Sequence, residues 1–342
     1  MNVTKAIRSL AWLLAVLSVL TLVACDTQEA PTPEETTLAD TTVEEETTTE
    51  EETTAPVDPA NDGNLRVILA SDLHYTYLET YFVLSADDRM QHFVDSILLE
   101  HQKQPIDLLI IAGDTSLDHW FTYGSYTKDK ISTSKSLCEK YFSQITAAGI
   151  PMFVLAGNHE QFNNEQWKEI TGNERYGAIA MEGNLFILLD AFSVDLEPNY
   201  DNDPSYGQHD VAYIKQQMEL HPECQNVYLV SHYFNYNNES TEFKMLVRTD
   251  KRIKGLFQGH THTNKIINMG SAYADKIIAE TGHFSHYTGS DALEKNFWGF
   301  RELIITPQTA ITRYITVQTK LVFGGTLFID LKRTTQNAAR LY

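Results

Sequence analysis

The stretch Gly259-His260-Thr261-His262 sets two imidazoles two residues apart behind a glycine. Neutral imidazoles are good ligands for divalent transition ions. A pair so spaced could share one ion or serve two neighbouring ions, and alone it is equally the pattern of a polar loop. Other segments carry the same chemistry: Asp72 and His74 in SDLH, Asp114 in GDTS, Asn158 and His159 in GNHE, and His232 in SHYF. Together they supply two carboxylates, one amide and five imidazoles. Mixed oxygen and nitrogen donors of this kind suit Mn, Fe, Zn or Ni. One ion needs about three or four protein groups. Seven candidate ligands, with His159 beside them, suit two ions.

These residues work together only if the fold gathers them. Each cluster follows a short apolar run that stops abruptly: Leu65 to Ala70, Leu108 to Ala112, Met152 to Ala156, Val227 to Val230 and Gly255 to Phe257. A sixth run, Leu185 to Leu189, ends at Asp190. Runs of this length and composition read as buried strands. Helical patterns separate some of them. One starts at the cap Ser85-Ala86-Asp87-Asp88 and carries Met90, Phe93, Val94, Ile97 and Leu98 on one face. A second runs from Ser134 to Ala148, with Leu137, Tyr141, Phe142 and Ile145 together, and stops at Gly149. A weaker third covers Gly207 to Leu220. Alternating strands and helices imply a largely parallel α/β sheet, with chemistry beyond the carboxyl ends of the strands. Phe300 to Ile305 and Ala310 to Thr316 read as antiparallel strands of a second sheet.

The ordered set DxH, GD, GNHE, H, GHxH resembles the calcineurin-like metallophosphoesterases, over roughly Leu65 to Phe300. The resemblance implies an α/β fold in four layers, αββα, in which a two-sheet sandwich is flanked by helices. It also implies a dinuclear metal centre that hydrolyses phosphate esters. Carried over, Asp72, His74 and His262 hold the first ion, Asp114 bridges, and Asn158, His232 and His260 hold the second. His159 becomes the general acid, and Glu160 orients a neighbouring histidine. Many relatives carry a second Asp three residues after the bridging one; here that position is Leu117, followed by Asp118. With His74 and Leu117 in place of the DxG and Tyr of purple acid phosphatases, that branch is disfavoured. Gly113 and Gly157 are expected to let the backbone turn sharply at the metals. The chain shows no convincing Ser-His-Asp or Cys-His arrangement and no Gly-rich phosphate loop.

Charge is unevenly placed. The net charge is -20, but 13 of the 46 acidic residues, and no Lys or Arg, lie between Asp26 and Asp62. The rest, from residue 63 onward, is only mildly acidic, which excludes the basic balance that draws in long nucleic acid. Lys5 and Arg8 precede an uncharged Leu-rich run, Ser9 to Ala24, that ends at Cys25. The run is short for a membrane span and suits a secretory signal. Leu22-Val23-Ala24-Cys25 resembles the lipobox of bacterial lipoproteins, which implies a lipid on Cys25 and an extracytoplasmic, membrane-anchored location. Residues 26–63, rich in Thr, Glu and Pro and without aromatics, cannot bury enough surface to offset chain entropy and read as a disordered tether. The enzyme domain then spans 64–342. Cys138 reads as a buried thiol; sequence alone leaves its pairing with Cys224 open.

Aromatic residues crowd the loops after the candidate ligands: Tyr75, Tyr77, Trp120, Phe121 and Tyr123, then Phe162, Tyr233, Phe234 and Tyr236. They either stack on a nucleotide-like or sugar-linked phosphate ester or pack the loops onto the sheet. His283 and His286 either reach the cleft or are ordinary loop histidines, the second reading being preferred. The competing class is a catalytically inactive extracellular binding lipoprotein on the same fold; such a protein would lack one or more of the metal ligands.

Overall fold

The computed structural model describes residues 64–76, 85–117, 134–160, 162–191, 206–285, 298–322 and 326–341. The segments read as a secretory signal and a tether, with Cys25, and Tyr77, Asp118, Trp120, Phe121, Tyr123 and His286 lie outside them. Among the described residues no helix is long and apolar enough to cross a membrane.

The strands are β1 (Leu65–Ala70), β2 (Leu108–Ala112), β3 (Met152–Leu155), β4 (Gly177–Met181), β5 (Asn184–Leu189), β6 (Asn226–Ser231), β7 (Ile253–Gln258), β8 (Ile266–Asn268), β9 (Ile277–Glu280), β10 (Gly299–Thr306), β11 (Thr309–Val322) and β12 (Thr326–Leu341). They form two six-stranded sheets, ordered β12-β11-β10-β1-β2-β3 and β4-β5-β6-β7-β9-β8. The helices are α1 (Ala86–Lys103), α2 (Ser143–Ala147), α3 (Asn164–Thr171), α4 (Val211–Leu220) and α5 (Thr241–Thr249).

The apolar runs lack a two-residue alternation because both faces of each sheet are covered. Val67 and Leu69 of β1 meet Phe186 and Leu188 of β5 and Tyr228 and Val230 of β6 in a core between the sheets. Ile68 and Ala70 point the other way, onto Met90, Phe93, Val94 and Ile97 of α1. Leu185 and Ile187 of β5 face Ile214 and Met218 of α4 and Phe243 of α5. Three apolar layers between four layers of secondary structure give the αββα sandwich.

Ser85 caps α1, its hydroxyl oxygen accepting the Asp88 N–H at 3.1 Å. In the second helical segment a π-helical turn, Cys138–Phe142, leads into α2. Its wider turn lets Leu137, Tyr141, Phe142 and Ile145 all reach the core. The third pattern is shorter than expected. Asp210 caps α4 at Val211, so Gly207 to Asp210 form a lead-in. The largest difference concerns β10 and β11. They are antiparallel, but β10 pairs with β1, so both extend the first sheet. The second sheet is built instead from β4 to β9. Cys138 and Cys224 are free thiols, Cys224 buried and Cys138 only partly so.

Candidate metal centre

The carboxyl ends of β1, β2 and β3 from one sheet, and of β6 and β7 from the other, open onto one place. All eight sequence-predicted residues meet there. Three overlapping groups have donor atoms within 4.8 Å of one another: Asp72, His74 and His262; His74, Asp114 and His159; Asp114, His232 and His260. Asp114 Oδ2 lies 3.2 Å from His74 Nε2, 3.2 Å from His232 Nε2 and 3.5 Å from His159 Nε2. His262 Nε2 is 3.2 Å from Asp72 Oδ1. Asn158 Oδ1 is 3.1 Å from His232 Nε2 and 3.1 Å from His260 Nδ1. Such convergence of buried oxygen and nitrogen donors fits divalent transition ions.

The backbone holds these side chains in an uncommon conformation. Asp72, His74, Asp114, His260 and His262 all have positive φ, between 48° and 68°. That left-handed region is uncommon for non-glycine residues and persists where the surroundings over-determine it. The surroundings are hydrogen bonds between ligand loops. Asp72 N–H donates to Gly113 O at 3.0 Å, and His74 N–H to Asp114 O at 3.0 Å. Across the sandwich, His260 N–H donates to the Asp72 carboxylate at 3.0 and 3.1 Å. His232 Nδ1 lies 2.8 Å from the Ala112 carbonyl. A carbonyl only accepts, so Nδ1 carries a proton, and this bond turns the ring so that Nε2 faces the oxygens of Asp114 and Asn158.

Electrostatics follow from burial and charge pairing. Burial alone would raise the Asp72 carboxyl, but its hydrogen bond to His262 and the imidazole charge hold it well below the usual range. Burial opposes the Asp114 carboxylate as well, and His159 and His232 outweigh it. Burial would lower His232, yet Asp114 raises it to about 9. Burial pushes His159 down to about 3, with Asp114 only partly offsetting it, and His260 down to about 4.

Several supporting residues were not readable as such. Glu160 was expected to orient a histidine. It accepts backbone N–H bonds instead, from Asp114 at 2.8 Å, Thr115 at 2.7 Å, Ser116 at 3.0 Å and Gly157 at 2.7 Å. It thus clamps the GD and GNHE loops together, and burial together with Asp114 pushes its carboxyl up to about 7. Buried Arg89 of α1 donates to the carbonyls of Leu73, His74 (2.8 Å) and Phe284 (2.9 Å), beneath the DLH loop. Arg175 pairs with Asp190 at 2.5 Å and donates to Phe162 O at 2.8 Å, which fixes the far side of the GNHE loop. The Tyr206 hydroxyl lies 2.7 Å from His260 Nε2. His283, read from sequence as an ordinary loop residue, is buried with its ring 5.7 Å from that of His262. A helical face signals Arg89 only as an apolar-side cation; nothing local marks Tyr206.

A four-layer sandwich with clustered carboxylates and imidazoles at its strand ends defines a metal-dependent hydrolase. The family model described as calcineurin-like phosphoesterase matches residues 65–264, more than half of the chain and a span that includes every predicted ligand. The chain belongs to the calcineurin-like phosphoesterase family and is a metal-dependent hydrolase of phosphoester bonds. No curated protein matches it in sequence. Among solved structures, a dimetal phosphatase from Danio rerio aligns with a TM-score of 0.54 and 11% identity, covering 73% of this chain and 95% of its own. A purple acid phosphatase from yellow lupin seeds aligns with a TM-score of 0.48 and 11% identity, over 78% of this chain and 53% of its own. Vps29 from Entamoeba histolytica, solved with Zn2+, aligns at 0.35 and 12% identity, over 79% and 99%. The first of these shares the fold; at such identities the likeness extends to nothing finer.

Proposed function

We propose that Asp72, His74 and His262 hold one divalent ion, that Asn158, His232 and His260 hold a second, and that Asp114 bridges them. The substrate is a small phosphate ester, nucleotide-like or sugar-linked. The observation that carries this reading is the position of Asp114 Oδ2, 3.2 Å from an imidazole of each group. Bound ions would supply Lewis acidity toward a phosphate oxygen and lower the pKa of a water able to attack phosphorus. The chain's own groups do the rest. The His232 bond to Ala112 fixes the orientation of its ring, and the Glu160 clamp fixes the distance between two ligand loops. His159 Nε2 reaches the centre and serves as the proton donor to the departing oxygen. Its burial favours the neutral ring, so the negative charge of an arriving phosphate supports its proton. The reading extends to location: a lipid on Cys25 and the acidic segment 26–63 tether the enzyme outside the cytoplasmic membrane.

The test is metal content alongside hydrolysis. The protein reconstituted with Mn, Fe, Zn or Ni should bind about two ions per chain and release phosphate or alcohol from small esters. Asp114→Asn should weaken both sites together, because it removes the shared donor. A stoichiometry of zero with every metal, or an Asp114→Asn variant with full metal content, overturns the assignment.

A further inference from the structure

Beside the His260–His262 loop a cavity of about 360 Å³ opens along the edge of the second sheet. Two of its lining residues belong to the ligand loops. The Tyr233 ring lies 4.6 Å from the ring of His260. Thr261 sits between His260 and His262, its hydroxyl buried and without a hydrogen-bond partner among the described residues. Farther in, the rings of Tyr236 and Tyr273 meet edge to face at 5.7 Å. Asn235, Asn237 and Gln258 also line it, the Gln258 amide oxygen accepting the Phe234 N–H at 3.0 Å, and Ile267, Met269 and Ile278 add apolar residues. Among the described residues no Lys or Arg lines the cavity; Lys244 Nζ, 6.0 Å over the Tyr236 ring, is held by the Asn237 carbonyl at 2.8 Å, and the Glu280 carboxylate accepts the Thr263 hydroxyl.

Each component restricts the occupant. The missing cations argue against a second phosphate or a carboxylate. Aromatic faces and aliphatic side chains favour a flat ring over a sugar, whose hydroxyls would leave the apolar side chains wet. Amides offer donor and acceptor together and match a ring with both on its edge. A quaternary ammonium would use the tyrosines but none of the amides. The volume falls in the range of small-molecule sites. We infer that this cavity seats the base of a nucleoside phosphate ester whose phosphate lies at the adjacent metal centre. The inference rests on the phosphoesterase reading above and deepens it to a substrate class.

The test compares esters with and without a base, using the metal-loaded full chain. Nucleoside 5′-monophosphates of adenine, guanine, cytosine and uracil are set against ribose 5-phosphate. The diesters thymidine 5′-(p-nitrophenyl phosphate) and methyl p-nitrophenyl phosphate form a second pair. The base-bearing member should be favoured at least about tenfold in kcat/KM, the order expected from one base–aromatic stack. Tyr273→Ala should collapse that ratio toward one through KM, and Tyr273→Phe should keep it. In parallel, calorimetry with the four free nucleosides should show binding that Tyr273→Ala abolishes. Base-less esters hydrolysed as well as nucleotides, with no nucleoside bound, would overturn the cavity's role and leave the phosphoesterase reading standing. A ratio that survives Tyr273→Ala would also overturn it. Nucleosides bound while no ester of either kind is hydrolysed would support the cavity and sink the reading beneath it.

Discussion

At the scale of single residues, the centre divides into groups proposed to hold the metals and groups that hold those in place. The first kind was legible in the sequence. Asp72, His74, Asp114, Asn158, His232, His260 and His262 stand out because they follow the abrupt ends of short apolar runs in the order DxH, GD, GNHE, H, GHxH. The second kind was not. Arg89 and Arg175 read as ordinary cations of a helix and a loop, and only the folded chain brings their guanidinium groups to the carbonyls of the DLH and GNHE loops. His159 belongs between the two kinds. Its Nε2, 3.5 Å from Asp114 Oδ2, is close enough to be a ligand, so position alone does not assign it to proton transfer. Replacement separates the roles. His159→Ala should keep its metals and lose about 10²–10⁴-fold in turnover of alkyl esters, the usual worth of a general acid. Esters of p-nitrophenol leave without a proton and should slow much less. Metal loss would make His159 a ligand. Equal slowing of both ester types would make it a group that steadies the phosphoryl oxygens.

At the scale of elements, the strand ends bring five sequence-distant loops to within hydrogen-bonding distance, and glycine permits the closest approach. Gly157 was expected to supply a sharp turn. It has no left-handed backbone; its need is space, since a Cβ there would collide with the Asp114 carboxylate and amide. Gly259 is tight in the same way, with a Cβ 2.7 Å from Asp72 Oδ2. Gly157→Ala should therefore lower metal content and activity together, with a loss of stability on the order of 1–3 kcal/mol from overpacking. Metal analysis, turnover and thermal unfolding check this; a variant with full metal content and unchanged rate would show that the loops can part without consequence. Legibility at this scale followed locality. β1, β2, β3, β5, β6 and β7 and the helix at Ser85 announce themselves within their own residues. The sheet that receives β10 does not, because pairing with β1 joins segments more than 200 residues apart. The least legible pieces are short: β4 and β8 span five and three residues, and α3 buries only Trp167 and Ile170.

At the scale of the whole molecule, charge is segregated along the chain. The segment from Asp26 to Asp62 carries 13 acids and no base, whereas the remainder to residue 342 carries 33 acids and 24 bases. A segment of like charges without aromatics has too little apolar surface to join a core, and we propose that it acts as a spacer rather than as part of the enzyme. A spacer has a purpose only if its far end is fixed, and Cys25 at its start is the residue proposed to carry the lipid. One acyl chain gives marginal, reversible membrane binding, about 10⁴ M⁻¹ for myristoyl, whereas two or more anchor stably. The acidic segment adds no attraction to an anionic lipid surface, so the anchor must hold through its acyl chains alone. Cys25→Ala should therefore move the protein out of the membrane fraction or leave its signal segment unprocessed. In the wild type, a radiolabelled fatty acid should follow the mature chain on a gel, and its mass should exceed that of the processed polypeptide by the lipid. High salt should not release it, because the attachment is not electrostatic, whereas detergent should. A wild type that fractionates with soluble protein, or one whose label and membrane association survive Cys25→Ala, would detach the enzyme from the membrane altogether and leave the acidic segment without a spacer's role.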